Sequence, residues 1–278
     1  MKIKSPAKIN LFLCITGKRP NGYHDIRSLM CGIALYDILT FDFQASWIHV
    51  SCSHPDVPDD DTNIAWRAAA CFFSAIGRAG GLGIDIEKNI PVAAGLGGGS
   101  SNAATVLLAL NGHYGYPFSS QELATLALTL GADVPFFISC KPALATGVGE
   151  KLAFFKGIHP YPIVIIHPKI RVRTADVYNN LNLGLTNCEQ KLNRLPLNEG
   201  FNPAHHLCND LESVTVPWFP EISDIKKTLI NHGAIGSLMS GSGPSVFGVF
   251  VNSDQARNAY EALIANQSWS CMYTQLLV

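Results

Sequence analysis

The glycine-rich run Pro91-Val92-Ala93-Ala94-Gly95-Leu96-Gly97-Gly98-Gly99-Ser100-Ser101-Asn102 constrains this chain more than any other stretch. Before it, Ile84-Asp85-Ile86-Glu87 alternates with period two and reads as a half-buried strand. After it, Ala103, Ala104, Val106, Leu107, Leu108 and Leu110 are apolar on nearly all sides. That predicts a buried helix, with Ser100 or Ser101 as its cap and Asn111-Gly112 as its end. Glycines between a strand and a helix let backbone N–H groups converge on one point, because no Cβ blocks close approach or positive φ. The helix N-terminus adds unpaired N–H groups and a partial positive charge, and Ser100 and Ser101 add hydroxyls. The combination predicts a phosphate cradle that needs no basic residue within the loop; the competing reading is a tight structural turn.

Known phosphate loops differ from this one. A Walker A loop needs Gly-Lys-Ser/Thr, and no lysine follows the glycines. The dinucleotide fingerprint needs glycine at its sixth position, where Ser100 stands. Neither HRD nor DFG occurs, so the protein-kinase set is missing as well.

The rest of the chain bounds the fold class. Of 278 residues, 47% are apolar and 15% charged, a globular composition, and the formal net charge of −1 gives no clustered basic excess for nucleic acid or a membrane surface. Lys2, Lys4 and Lys8 before Ile9–Ile15 loosely mimic a leader, but the short run carrying Asn10 reads better as a first strand. No apolar stretch is long enough for a transmembrane helix. Eight cysteines without a CxxC pair predict reduced, buried thiols and a cytoplasmic setting.

Strands are predicted at Leu11–Ile15, Phe41–Phe43, Ile48–Val50 and Ile84–Glu87, with a turn-rich loop over Thr16–Gly22 and a surface loop over Ser53–Thr62. Helices are predicted at Asn63–Ile76 and after the capping box Ser119-x-x-Glu122, the second closing at Gly131. Past residue 155 follow strand Pro162–Ile166, helix Thr174–Leu181, an irregular polar stretch over 183–205, helix Glu221–Asn231, strands Ala234–Met239 and Val246–Val251, helix Asp254–Ala265 and strand Cys271–Val278. This order predicts an α+β fold, helices on one face of a mostly antiparallel sheet, with a boundary near 145–160. His49, Cys52, His54 and Asp56 fit no zinc spacing and read as loop and strand positions, and His205-His206 reads as surface.

Three stretches occur in order: Ser5-Pro6-Ala7-Lys8-Ile9-Asn10, the glycine run, and Leu238-Met239-Ser240-Gly241-Ser242-Gly243-Pro244-Ser245 between two strands. Together they resemble the GHMP kinases (galacto-, homoserine, mevalonate and phosphomevalonate kinases). The stretches SPAKINLFLCITGKRPNGYH at 5–24, LGADVPFF at 130–137 and Asn209-Asp210-Leu211-Glu212 make the chain similar to the branch that phosphorylates a cytidine diphosphate methylerythritol in the non-mevalonate route to isoprenoids. The resemblance covers most of the chain and is weakest over 183–205. It implies a GHMP kinase fold: an N-terminal ATP-binding half, 1–155, like domain two of a ribosomal protein, and a ferredoxin-like half, 156–278. It implies ATP and Mg²⁺ as the nucleotide pair, a small-molecule alcohol as the acceptor, and no nucleic-acid or membrane partner.

The resemblance also assigns residues. Pro91, Val92, Ala93, Ala94, Gly95, Leu96, Gly97, Gly98, Gly99, Ser100 and Ser101 would hold the nucleotide, with Ser100 or Ser101 the candidate hydroxyl for Mg²⁺. Asp133 would be the catalytic base and Lys8 its partner. Asn10 would bond the reacting end of the substrate, and Tyr23, His24 and Tyr178 its cytidine end. On residue type alone, Lys8 reads as a surface charge and Asp133 as a helix-end aspartate. Rival readings are a GHMP kinase for another alcohol, a non-catalytic sensor of ATP and ligand, and a nicotinamide-binding oxidoreductase.

Overall fold

The computed structural model describes residues 1–194 and 200–278. The chain forms two compact units, each assembled from separated segments: Met1–Ala7, Leu35–Val92 and Gly97–Cys140 make the first, and Lys8–Ala34, Ala93–Leu96 and Lys141–Val278 the second. Two long strands, β1 (Lys2–Lys18) and β2 (His24–Asp42), pair with each other and supply residues to both. The turn between them is shorter than the loop predicted over Thr16–Gly22, because β1 runs on to Lys18.

In the first unit, the C-terminal part of β2 pairs antiparallel with β4 (Leu82–Glu87), and β4 pairs parallel with β3 (Ile48–Cys52). The helices of this unit are α1 (Ile64–Ala75), α2 (Gly98–His113), α3 (Ser120–Leu130) and α4 (Val134–Ser139). Asn63 caps α1 by accepting the Ala65 N–H, and Ser119 and Glu122 form the expected capping box of α3. The helix α2 packs against α1, α3 and α4 and buries Ala103, Ala104, Val106, Leu107 and Leu110, while Leu108, also expected in the core, is 40% exposed because among the described residues no element covers its face of the helix. It runs one residue beyond the predicted Asn111-Gly112 stop. Phe72 of α1 packs edge-on to Phe118, their centroids 5.5 Å apart.

In the second unit the strands are β5 (Ala143–Gly147), β6 (Lys151–Phe154), β7 (Pro162–Pro168), β8 (Cys208–Asn209), β9 (Gly236–Met239), β10 (Val246–Val249) and β11 (Trp269–Leu277). The helices are α5 (Thr174–Asn179), α6 (Cys188–Arg194), α7 (Pro203–His206), α8 (Glu212–Trp218), α9 (Glu221–Asn231) and α10 (Ser253–Leu263). The strand order β2-β11-β7-β10-β9 is antiparallel throughout, while the two-residue strand β8 joins β1 in parallel. Val164 and Ile166 of β7, Met239 and Val246 share one core with Ile222, Ile225 and Leu229 of α9 and Ala256, Ala259 and Leu263 of α10. Those helix positions recur at three and four, so each amphipathic helix lays its apolar stripe on the sheet.

Three expectations are corrected here. The stretch 183–205 carries α6, most of α7 and the short 3₁₀ turn Leu183–Leu185, and its residues 195–199 lie outside the described residues. His206 is buried, not on the surface: its Nδ1 accepts the Asn202 N–H at 2.8 Å. The cysteines are not all reduced and buried. Cys188 and Cys208 form a disulfide between α6 and β8, Cα atoms 5.7 Å apart, and of the remaining six only Cys14 and Cys31 are fully buried. Among the described residues no helix is long and apolar enough to cross a membrane.

A bridge across a 20-residue separation removes loop entropy from the unfolded chain, about 3 kcal/mol by the chain-entropy argument. The double substitution Cys188→Ala/Cys208→Ala is expected to lower unfolding stability by about 2–3 kcal/mol. Denaturant titration of the non-reduced protein checks this, and an unchanged midpoint would show that the thiols remain free.

Candidate active site

In the second unit, Lys8 and Asn10 lie two apart on β1, on one face of the strand, and both are buried. Lys8 Nζ donates to Asn10 Oδ1 at 2.7 Å, Asn10 Nδ2 donates to Ser28 Oγ at 2.8 Å, and Ser28 Oγ donates to the Phe12 carbonyl at 2.7 Å. This chain of bonds fixes which way the Asn10 amide points, so its oxygen faces the ammonium. A buried lysine is costly unless it is paired, and Asn10 is part of that pairing.

The backbone N–H of Lys8 also donates to the Leu96 carbonyl, at 2.9 Å, so β1 holds the first part of the glycine run. The same part packs on the C-terminal glycine loop. Ser240 Oγ donates to the Gly95 carbonyl at 2.9 Å, and the Ser245 N–H donates to the Ala94 carbonyl at 3.3 Å. Gly95 has φ +75°, and a Cβ there would stand 2.1 Å from the Ser240 carbonyl oxygen, so no other residue fits. Ala93 sits in the left-handed region too, at φ 52°.

The Asn209-Asp210-Leu211-Glu212 stretch explains itself as a latch on this region. Asn209 Nδ2 donates to the carbonyls of Met239 and Gly241, at 2.9 and 2.7 Å. Glu212 accepts the Met239 N–H through Oε1 and the Lys226 ammonium through Oε2. The buried Asp210 carboxylate accepts three amides, those of Ile15, Asn187 and Cys188.

His24, at the start of β2, is brought to Tyr178 on α5, ring centroids 5.5 Å apart and planes tilted by 37°. His24 is buried, yet neither ring nitrogen has a hydrogen-bond partner among the described residues. Burial, and secondarily the charge of Lys18, push its pKa down. Tyr23 does not join them: its side chain is 62% exposed.

In the first unit, Gly97 occupies the N-cap of α2 at φ 70°, and no side chain caps the helix; this replaces the predicted Ser100 or Ser101 cap. Ser101 is instead buried, its Oγ 2.8 Å from Ser5 Oγ, which also donates to Asn102 Oδ1, while Ser100 is half-buried. The first turn carries no acidic residue, so the N–H groups and positive dipole end of a 16-residue helix are uncompensated by side chains. Asp133 is half-buried at the N-cap of α4, between that helix and the Gly131 end of α3; sequence reading had it past a helix end and missed α4.

Lys88 was missed altogether. Its ammonium pairs with Asp37 at 2.5 Å, both side chains buried, and lies close to where a Cβ on Gly98 would be, 2.8 Å away. A lysine just past a polar-alternating strand reads as solvated, and only the partner on β2 shows otherwise.

His49 and Cys52 sit on β3, and His54 Nδ1 accepts the Asp56 N–H within a turn. Among the described residues no group of three or more His, Cys, Asp or Glu could hold a metal ion.

The family models agree with this arrangement of loops: GHMP kinases N terminal domain matches residues 63–141, and GHMP kinases C terminal matches 193–268. A 4-diphosphocytidyl-2-C-methyl-D-erythritol kinase of Geobacter metallireducens is 43% identical, over all of this chain and 99% of its own length. The chain belongs to the GHMP kinase family. A second kinase of that name, from Syntrophotalea carbinolica, is 47% identical over 95% of each chain. A crystal structure of 4-(cytidine 5'-diphospho)-2C-methyl-D-erythritol kinase superposes with a TM-score of 0.83 at 38% identity, covering 99% of both chains. Homoserine kinase from Cytophaga hutchinsonii shares this GHMP fold, at a TM-score of 0.74 and 17% identity.

The His24 environment has a pH consequence. Its folded pKa lies below the ordinary 6.5, so between those two values the unfolded chain binds more protons. The stability contribution is therefore full above about pH 6.5 and is lost as pH falls through the folded pKa. His167 is shifted the same way by burial. Melting temperature is expected to fall between about pH 7 and 5, and His24→Gln to flatten that slope. An unaltered slope in the variant would remove His24 as its source.

Proposed function

We propose that this GHMP kinase transfers the γ-phosphoryl group of ATP to a hydroxyl of 4-diphosphocytidyl-2-C-methyl-D-erythritol, giving the 2-phosphate and ADP in the non-mevalonate route to isoprenoids. The relatives of that name, alike over the full length, support the reaction. The observation in the molecule that carries the substrate reading is His24: a buried imidazole with no hydrogen-bond partner among the described residues, beside the Tyr178 ring. Such a pair suits a nucleobase, one ring for its face and one nitrogen for its polar edge. Tyr23, next to His24 in the chain and exposed, would have to turn toward the ligand to add a second aromatic surface.

In this reading the glycine run, from Pro91 to Ser101, receives the phosphates on the uncapped end of α2. Asp133 takes the proton from the attacking hydroxyl, and Lys8, steadied by Asn10, offsets charge on the transferring group. Mg²⁺ would neutralise phosphate charge, and its partners would be the phosphates themselves and the Ser100 hydroxyl, since Ser101 is engaged by Ser5. Residues 1–155 are assigned to the ATP-binding half and 156–278 to the second, and the enzyme to the cytoplasm.

ADP release with ATP and Mg²⁺ is expected with the cytidine compound and not with mevalonate, homoserine or galactose. Release with one of those instead keeps the kinase and discards the cytidine pocket, and ATP binding without any release would favour a sensor. The variant Asp133→Asn is expected to keep ATP binding and lose turnover by about 10²-fold or more. Near-normal turnover would sink the base assignment.

A further inference from the structure

The buried pair Asp37–Lys88 lies outside every motif read in the sequence. Asp37 is wholly buried on β2 and uses its carboxylate completely: Oδ2 accepts Lys88 Nζ at 2.5 Å, and Oδ1 accepts both the Asn89 and Ile90 N–H groups at 2.8 Å. Asn89 Nδ2 reaches back to the Tyr36 carbonyl at 3.1 Å. Three consecutive residues are thus tied to two adjacent residues of β2, Tyr36 and Asp37. The next residue is Pro91, where the glycine run begins.

The other side of the tied segment faces α2. A Cβ on Gly98 would stand 2.8 Å from Lys88 Nζ and 3.0 Å from Ile90 Cγ2, so the first helical residue rests directly on Lys88 and Ile90. A buried ion pair is weak as a source of stability, because desolvation offsets the attraction, and apolar residues of equal volume commonly do as well. Its effect here is geometric. Asp37 neutralises Lys88, so the pair adds no net charge to the helix end, and Lys88 and Ile90 form the surface on which the first residue of α2 rests.

We infer that Asp37 is a positioning residue for nucleotide binding: through Lys88 and the amides of Asn89 and Ile90 it holds the 88–90 segment against Gly98 and so aims the α2 amides at the phosphates. The inference rests on the nucleotide reading of the glycine run. It differs from a purely structural role in where the loss falls, on the nucleotide and not on the alcohol substrate.

The test compares wild type, Lys88→Met and the charge-neutral double variant Asp37→Leu/Lys88→Met, which leaves no unpaired buried charge and no side-chain acceptor for the Asn89 and Ile90 N–H groups. Calorimetric titration with the non-hydrolysable analogue AMP-PNP and Mg²⁺ gives Kd, and steady-state assays give KM for each substrate. If Asp37 acts on the backbone, the double variant binds AMP-PNP about tenfold or more weaker than Lys88→Met, the scale of lost bonds to a carboxylate, with a matching rise in KM for ATP alone. Equal affinity in the two variants overturns the inference, as does an equal rise in KM for the alcohol. Hydrogen exchange on the wild type needs no variant: the Asn89 and Ile90 amides are expected to be protected and to gain protection with AMP-PNP, and free exchange in its presence overturns the inference. Wild type that fails to bind the analogue overturns the nucleotide reading itself, a result distinct from a bound wild type with indifferent variants.

Discussion

The approach of Gly95 to Ser240 is the contact on which the second unit's binding surface depends. Two loops far apart in the chain meet backbone to backbone, with a carbonyl oxygen where any other residue would carry its Cβ. Such an approach exposes carbonyls that must be paired, and the C-terminal loop supplies both donors: the Ser240 hydroxyl to Gly95, and the Ser245 amide to Ala94. Behind them Asn209 takes two more carbonyls and Glu212 takes the Met239 amide. The steric requirement therefore falls on Gly95, and within the C-terminal loop on Gly243, where a Cβ would stand 2.5 Å from Met239 Sδ.

Buried polar groups follow one rule through most of the molecule. Lys8 is bonded to an amide that is itself bonded, Asp37 is filled by one ammonium and two amides, and Asp210 by three amides. Groups held this way lose little by leaving water, and they lose mobility as well, which suits positions that must stay fixed during a transfer. Ser237 Oγ, Thr274 Oγ1 and the His24 ring depart from the rule, and both His24 nitrogens are without a hydrogen-bond partner among the described residues, beside Tyr178. A buried polar group without a partner costs free energy until a ligand supplies one, which is why the proposed substrate pocket is placed at His24.

The elements that sequence reading located well are those with local causes. Helix α9 matches its predicted limits because Glu221–Asn231 carries a plain 3.6-residue stripe, and α3 begins where its capping box says. By contrast β2 was largely missed. Residues 24–42 are buried on both faces over much of their length, so no period-two pattern marks them. The 188–208 disulfide could not be read from a spacing without a CxxC, and Cys208 is placed only by the pairing of β8 with β1. His206 looked exposed because its acceptor role depends on a turn four residues long.

Taken alone, the sequence determined that a strand, a glycine run and a largely buried helix follow one another, that the chain is α+β, and, through three motifs in order, which family's residues to weigh. These follow from neighbours in the chain: periodicity, absent Cβ atoms and cap chemistry act over a few residues. The tertiary structure alone decided that Gly97 and not a serine caps α2, that Ser101 is engaged by Ser5, that His24 and Tyr178 meet while Tyr23 stays in water, and that Lys88 is buried on Asp37. Each of these depends on a partner from another strand, helix or loop, and whether a polar side chain is solvated or paired is set by what the fold brings beside it.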